Sequence, residues 1–164
     1  MKAIRMTAVG LALLGFLLSW TSAEAQLKDK KALTLAVAKK IAVAAEETAA
    51  KNNWNVVIAI VDDGGNLLYL QRMDETQIGS VDVAIKKAHT SLAFKRPTKA
   101  LEDVIAGGRV AYLSLPGALP IEGGLPIVLD GKVIGAIGVS GVTSQQDGVI
   151  AKGGLDALPA ILGK

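Results

Sequence analysis

The chain offers little for chemistry: one histidine, His89, and no cysteine among 164 residues. A single histidine forbids a two-histidine metal centre, and without thiolates a structural zinc site is excluded. A nucleophile elbow needs G-x-S-x-G, and the run Gly138-Val139-Ser140-Gly141 breaks that pattern at its last position. Neither a G-x-x-x-x-G-K-[ST] phosphate loop nor a G-x-G-x-x-G nucleotide motif occurs. Asp62-Asp63-Gly64-Gly65 lacks the alternating oxygen ligands of a calcium loop. Asp74-Glu75 is a pair of neighbouring carboxylates on an expected loop, where such pairs are ordinarily solvated. What remains is a set of soft or aromatic donors: Tyr69, Met73, His89 and Tyr112. Haem iron accepts histidine, methionine or tyrosine as an axial ligand. The residues alone leave His89 open between a ligand and a histidine at the edge of a helix face, and Met73 between a ligand and core filler.

These side chains must be positioned by a small domain. Lys2 and Arg5, the apolar stretch over residues 6–20 and the Ala23-Glu24-Ala25 cleavage pattern read as a secretory signal over residues 1–25. The mature domain is then expected over residues 26–164, periplasmic or secreted. No later apolar run is long enough to span a bilayer, which needs roughly 20 residues. A net charge of +3 with no long basic run gives no argument for nucleic acid. No disulfide can hold the fold, so burial of Val, Ile, Leu and Ala must do so.

The central signal is Asp130-Gly131 between the apolar runs 127–129 and 133–139, the pattern of a two-residue type I′ hairpin. Gly135, Ala136 and Gly138 on its second strand mark a place where another backbone, a ligand or a neighbouring subunit comes close. Upstream, residues 34–51 have helical spacing with Thr34 as N-cap and Asn52-Asn53 as the stop. Residues 54–61 and 66–72 read as strands about the turn 62–65. A second helix is expected over 81–94, burying Val81, Ile85, Ala88 and Leu92, with Lys86 and Lys87 directed elsewhere. Thr98 is expected to cap a short helix that Gly107-Gly108 ends. Residues 109–115 read as an extra strand, and the Pro/Gly-rich loop 116–124 as a pocket wall. Thr143 and Gln146 fit a capping box before a last helix, weakened at Gly153-Gly154. The fold class is α/β of the α+β type: one domain, a central antiparallel sheet of about five strands flanked by helices.

Several short blocks then fall in one order: residues 61–65, Arg72-Met73-Asp74, Lys87-Ala88 with Thr90, residues 94–98, residues 124–127, Asp130-Gly131, residues 135–141 and Gln146-Asp147. Together they resemble the GlcG/HbpS family of haem-binding proteins over the whole mature chain. Two positions depart from it: His89 stands where an arginine is expected, and Val142 where many members have a glycine. The resemblance implies an α/β domain in a symmetric homo-oligomer, dimer to octamer, with haem as partner and cofactor, and it carries a haem-contacting threonine onto Thr90. His89 joins Thr90 as a candidate iron ligand because imidazole binds iron far better than a hydroxyl does. Phe94 and Met73 are candidates for the apolar wall of a porphyrin site. Arg72, Arg96 and Lys95 are candidates to pair with its propionates, with a solvated basic face as the alternative. The expected function is an exported protein that carries, buffers or senses haem rather than a classical enzyme. The rivals are a haem-degrading or other small-molecule enzyme using the pocket of residues 116–141, and an accessory oligomer without ligand.

Overall fold

The computed structural model describes residues 27 and 29–163; the expected signal segment lies outside the described residues. Helix α1 (Leu35–Lys51) starts where Thr34 accepts the Val37 N–H at 3.3 Å and stops at Asn52. Strands β1 (Val57–Asp62) and β2 (Leu67–Arg72) follow, joined by a turn that Asp62 ties together by accepting the Gly64 and Asn66 N–H groups. Helix α2 (Gly79–Phe94) ends at Lys95, whose φ of 51° is the left-handed conformation of a helix C-cap. Then come α3 (Thr98–Ala106), β3 (Gly124–Leu129), β4 (Lys132–Ser140), α4 (Ser144–Asp156) and the short α5 (Leu158–Ile161). Asp130 and Gly131 take φ of 49° and 74° between β3 and β4, the two left-handed positions that a type I′ turn requires.

The sheet has four antiparallel strands in the order β2-β1-β4-β3. Residues 109–115 add no strand: Val110–Ser114 forms a 3-10 helix, with the Tyr112 N–H bonded back to the Arg109 carbonyl. The Arg109 guanidinium also lies 5.0 Å from the centre of the Tyr112 ring, a contact that favours the closed turn over an extended one. Nor do Gly153-Gly154 interrupt the last helix; they sit where α4 crosses α1, and side chains there would meet Thr48 and Ile41. Thr143 and Gln146 form the expected capping box.

Two helical layers enclose the sheet. On one face α1 and α4 pack side by side, burying Ile41, Ala45 and Ile150 against Ile58, Ile60, Ile137 and Val139. On the other lies α2, and here the expectation changes. Its buried residues are Ser80, Ala84, Lys87, Ala88, Thr90 and Ser91, while Val81, Ile85 and Leu92 are only half-buried at the flanks. The reason is in the sheet. Leu70, Ala59, Gly138 and Gly124 align across the four strands, and the helix backbone presses on the small end of that row. A side chain at Gly138 would collide with the Ala84 carbonyl, and one at Gly124 with the Lys87 carbonyl. The object against the hairpin's small-residue face is therefore the chain's own α2, through its backbone. All described helices and strands lie in one compact unit, residues 31–164.

Candidate ligand site

The end of α2 and the β1–β2 turn form the walls of a cleft of ≈ 460 Å³. His89, Leu92 and Lys95 are three residues apart along the chain, so α2 presents them on one side, the last at its left-handed cap. Val133 closes the cleft from β4, and Asp63 with Gly64-Gly65 from the turn. Gly65, at φ 84°, has bare backbone under the imidazole: a Cβ there would lie 3.3 Å from His89 Nδ1 and 3.4 Å from Cε1. Among the described residues neither ring nitrogen of His89 has a hydrogen-bond partner.

The other expected residues are dispersed. Thr90 is buried, its hydroxyl donating to the Lys86 carbonyl and accepting the Leu119 N–H, both at 2.8 Å. Phe94 is half-buried at the end of α2, and the exposed Arg96 donates from Nε to the Phe94 carbonyl at 3.2 Å. Arg72 and Met73 line a separate cleft of ≈ 370 Å³ with Glu46, Asp74 and Glu75, and Arg72 donates from Nη1 to the Thr76 carbonyl at 3.0 Å. The Tyr69 hydroxyl donates to Gln71 at 2.9 Å. Of the expected residues His89 and Lys95 line this cleft; Thr90, Phe94 and Arg96 lie near them in sequence without lining it, and Arg72 and Met73 belong to another part of the surface.

The loop 116–124 is held by side chains at three points. Thr90 takes the Leu119 N–H, Glu102 the Glu122 N–H, and Thr98 the Gly124 N–H. Thr98 does not cap α3: it is the first helical residue, fully buried, with its hydroxyl directed at β3. The end of this loop borders a third, mostly apolar cleft of ≈ 370 Å³ with Leu125, Lys99 and Lys152.

Sequence reasoning missed one polar feature altogether. Lys87 is not directed to solvent. Its ammonium is buried, donating to Asp147 Oδ2 at 2.8 Å and to the Val139 carbonyl at 3.0 Å. Asp147 also accepts the Val142 N–H at 3.2 Å. Burial raises the Asp147 carboxyl above its ordinary range, and this outweighs the opposing pull of Lys87 and of the Val142 and Gly141 N–H groups. The available signals were small residues on either side of Lys87 along α2 and the paired blocks Lys87-Ala88 and Gln146-Asp147. No group of three or more histidines and carboxylates placed to hold a metal ion occurs among the described residues.

A four-stranded antiparallel sheet between one helix and a helix pair, with clefts at its turns and helix ends, defines a small α+β domain. Within that class the chain belongs to the HbpS-like family, whose description, haem degrading protein HbpS-like, matches residues 33–156. It is similar to the protein GlcG of Escherichia coli (strain K12), 43% identical over 114 residues that cover 70% of this chain and 85% of GlcG. A double mutant of Streptomyces reticuli HbpS superposes with a TM-score of 0.74 at 31% identity, covering 96% of this chain and 99% of that one. A PduOC:haem complex superposes with a TM-score of 0.70 at 32% identity, covering 77% and 95% respectively.

Proposed function

We propose that this protein is an exported, oligomeric haem-binding protein that carries, buffers or senses haem outside the cytoplasm. The observation that carries the reading is family membership over nearly the whole domain, together with likeness to a relative solved as a haem complex. The reading of residues 1–25 as a secretory signal supports export. Exposed apolar residues support self-association: Val110, Leu113 and Ile121 on the segment after α3, and Leu67 and Val128 on the two edge strands. Light scattering at micromolar concentration is expected to give more than the monomer mass, and a monomer contradicts the oligomer.

The residues present fit a porphyrin. Leu92 and Val133 give apolar surface, His89 an imidazole, and Lys95 a cation for a carboxylate, in a cleft within the usual size range of ligand pockets. Haem, when bound, supplies an iron with axial positions to fill on a flat apolar ring that carries two carboxylates. The chain's part is to orient that ring and shield one side of it. Titrating hemin into the purified mature protein is expected to give a saturable Soret shift; a spectrum equal to that of free hemin at every ratio overturns the reading.

A second reading, haem breakdown, is favoured by the family description itself. The two separate on adding a reductant and oxygen to the complex. Bleaching of the porphyrin with release of iron indicates an enzyme, and recovery of intact haem indicates a carrier or sensor.

A further inference from the structure

We infer that His89 is the axial iron ligand of this protein, seated against Gly65 and assisted by Lys95 as the partner of a propionate. This rests on the haem-binding reading and assigns it a particular place.

The other donors competent for iron are engaged or lie elsewhere. The Thr90 hydroxyl is buried and engaged in both directions, with Lys86 and Leu119. The Tyr69 hydroxyl is bonded to Gln71, Met73 lines the other cleft, and Tyr112 belongs to the 3-10 turn and does not line the cleft of His89. His89 alone combines an iron-binding nitrogen with an open cleft and, among the described residues, has no hydrogen bond to surrender. It is also the only histidine in the chain.

The surroundings of His89 suit a ligand. A ligating imidazole is ordinarily oriented by a hydrogen bond from its second nitrogen. Here packing takes that place: the ring edge carrying Nδ1 and Cε1 lies over Gly65, with Leu92 Cδ2 3.7 Å from where a Gly65 Cβ would sit. Gly65 is thus a positioning residue. Leu92 and Val133 provide apolar surface beside the ring, and Lys95 stands at the rim, its backbone fixed by the helix cap. Lys95 is the cation among the residues lining the cleft, so a porphyrin carboxylate is favoured on its side.

Because there is one histidine, labelling untagged protein with nitrogen-15 histidine marks His89 alone. The ferrous hemin complex is expected to show an iron–imidazole resonance Raman band that shifts with the label. His89→Ala should lose that band and bind hemin more weakly by at least the about 10-fold that losing even a supporting partner of a metal ligand costs, and free imidazole should restore an iron–imidazole band that no longer responds to the histidine label. Gly65→Ala, which strains the turn at φ 84° and is checked for retained fold by circular dichroism, should shift the frequency of the label-sensitive iron–imidazole band as well as weaken hemin binding. Lys95→Met should weaken hemin but not its dimethyl ester. Hemin bound without a label-sensitive band, with an unchanged spectrum in His89→Ala, overturns this assignment and leaves the haem-binding reading standing. No binding of hemin by the wild type overturns both.

Discussion

Lys87 on α2 and Asp147 on α4 meet at 2.8 Å with only 2% and 3% of their side chains exposed, an ion pair that links the two helical layers on opposite faces of the sheet. It lies just before β3 begins: a side chain on Gly123 would come within 2.8 Å of the Lys87 ammonium, and Val139 on β4 supplies the second acceptor. An ion pair so enclosed is held by mutual satisfaction rather than by great net stability. Lys87→Met leaves a buried carboxylate uncompensated and is expected to cost about 3–5 kcal/mol, whereas Lys87→Met combined with Asp147→Leu should recover most of that loss. Urea unfolding of both variants checks it. A single variant as stable as the wild type would show that the pair is not buried as described.

The same pair has a pH signature. The folded chain holds the Asp147 proton more tightly than the unfolded chain, because the carboxyl is raised from an ordinary value near 3.8 by burial. Above the folded value, ionised Asp147 therefore weighs against the fold. As pH falls through that value the penalty is relieved, and the relief is complete below the unfolded value. Asp147→Asn cannot titrate, so subtracting its stability removes the other carboxylates from the comparison. The difference, wild type minus variant, is expected to move in favour of the wild type on acidification towards pH 3.8 and then level off. Movement in the opposite direction would mean that the attraction of Lys87 outweighs burial.

Gly138 gives a steric test. A methyl group there would run into the Ala84 carbonyl and lie 2.5 Å from the Ala88 nitrogen. Both are backbone atoms, so no rotamer change relieves the clash and α2 must lift. Gly138→Ala is expected to lower stability by about 1–3 kcal/mol or more and to weaken hemin binding, because α2 carries His89. An unchanged unfolding midpoint contradicts the packing.

What could be read in the sequence was what neighbouring residues decide. Thr34 and Thr143 begin helices, Asp130-Gly131 turns a hairpin, and the unbroken apolar run of β1 is a strand covered on both faces. What escaped was decided by partners distant in the chain. The larger residues Val81, Ile85 and Leu92 suggested one buried stripe on α2, yet the sheet opposite is made of Gly138, Gly124 and Ala59 and admits only small ones. Lys87 looked like a surface lysine because nothing near it in sequence discloses Asp147. Residues 109–115 passed for a strand because their composition is apolar, while the Arg109–Tyr112 contact that closes the turn is a matter of geometry. For the site, the position of His89 at the edge of the helix face could be anticipated beside Ala88. Its seat on Gly65 could not, since that depends on the β1–β2 turn folding back against α2.

The central claim, that this domain takes up an iron porphyrin, is met most directly by native mass spectrometry of the mature protein mixed with hemin. The account predicts an assembly larger than one chain whose mass rises in whole hemin increments and reaches a limit. An assembly that keeps its unliganded mass at every hemin concentration, with the protein still folded, would contradict it.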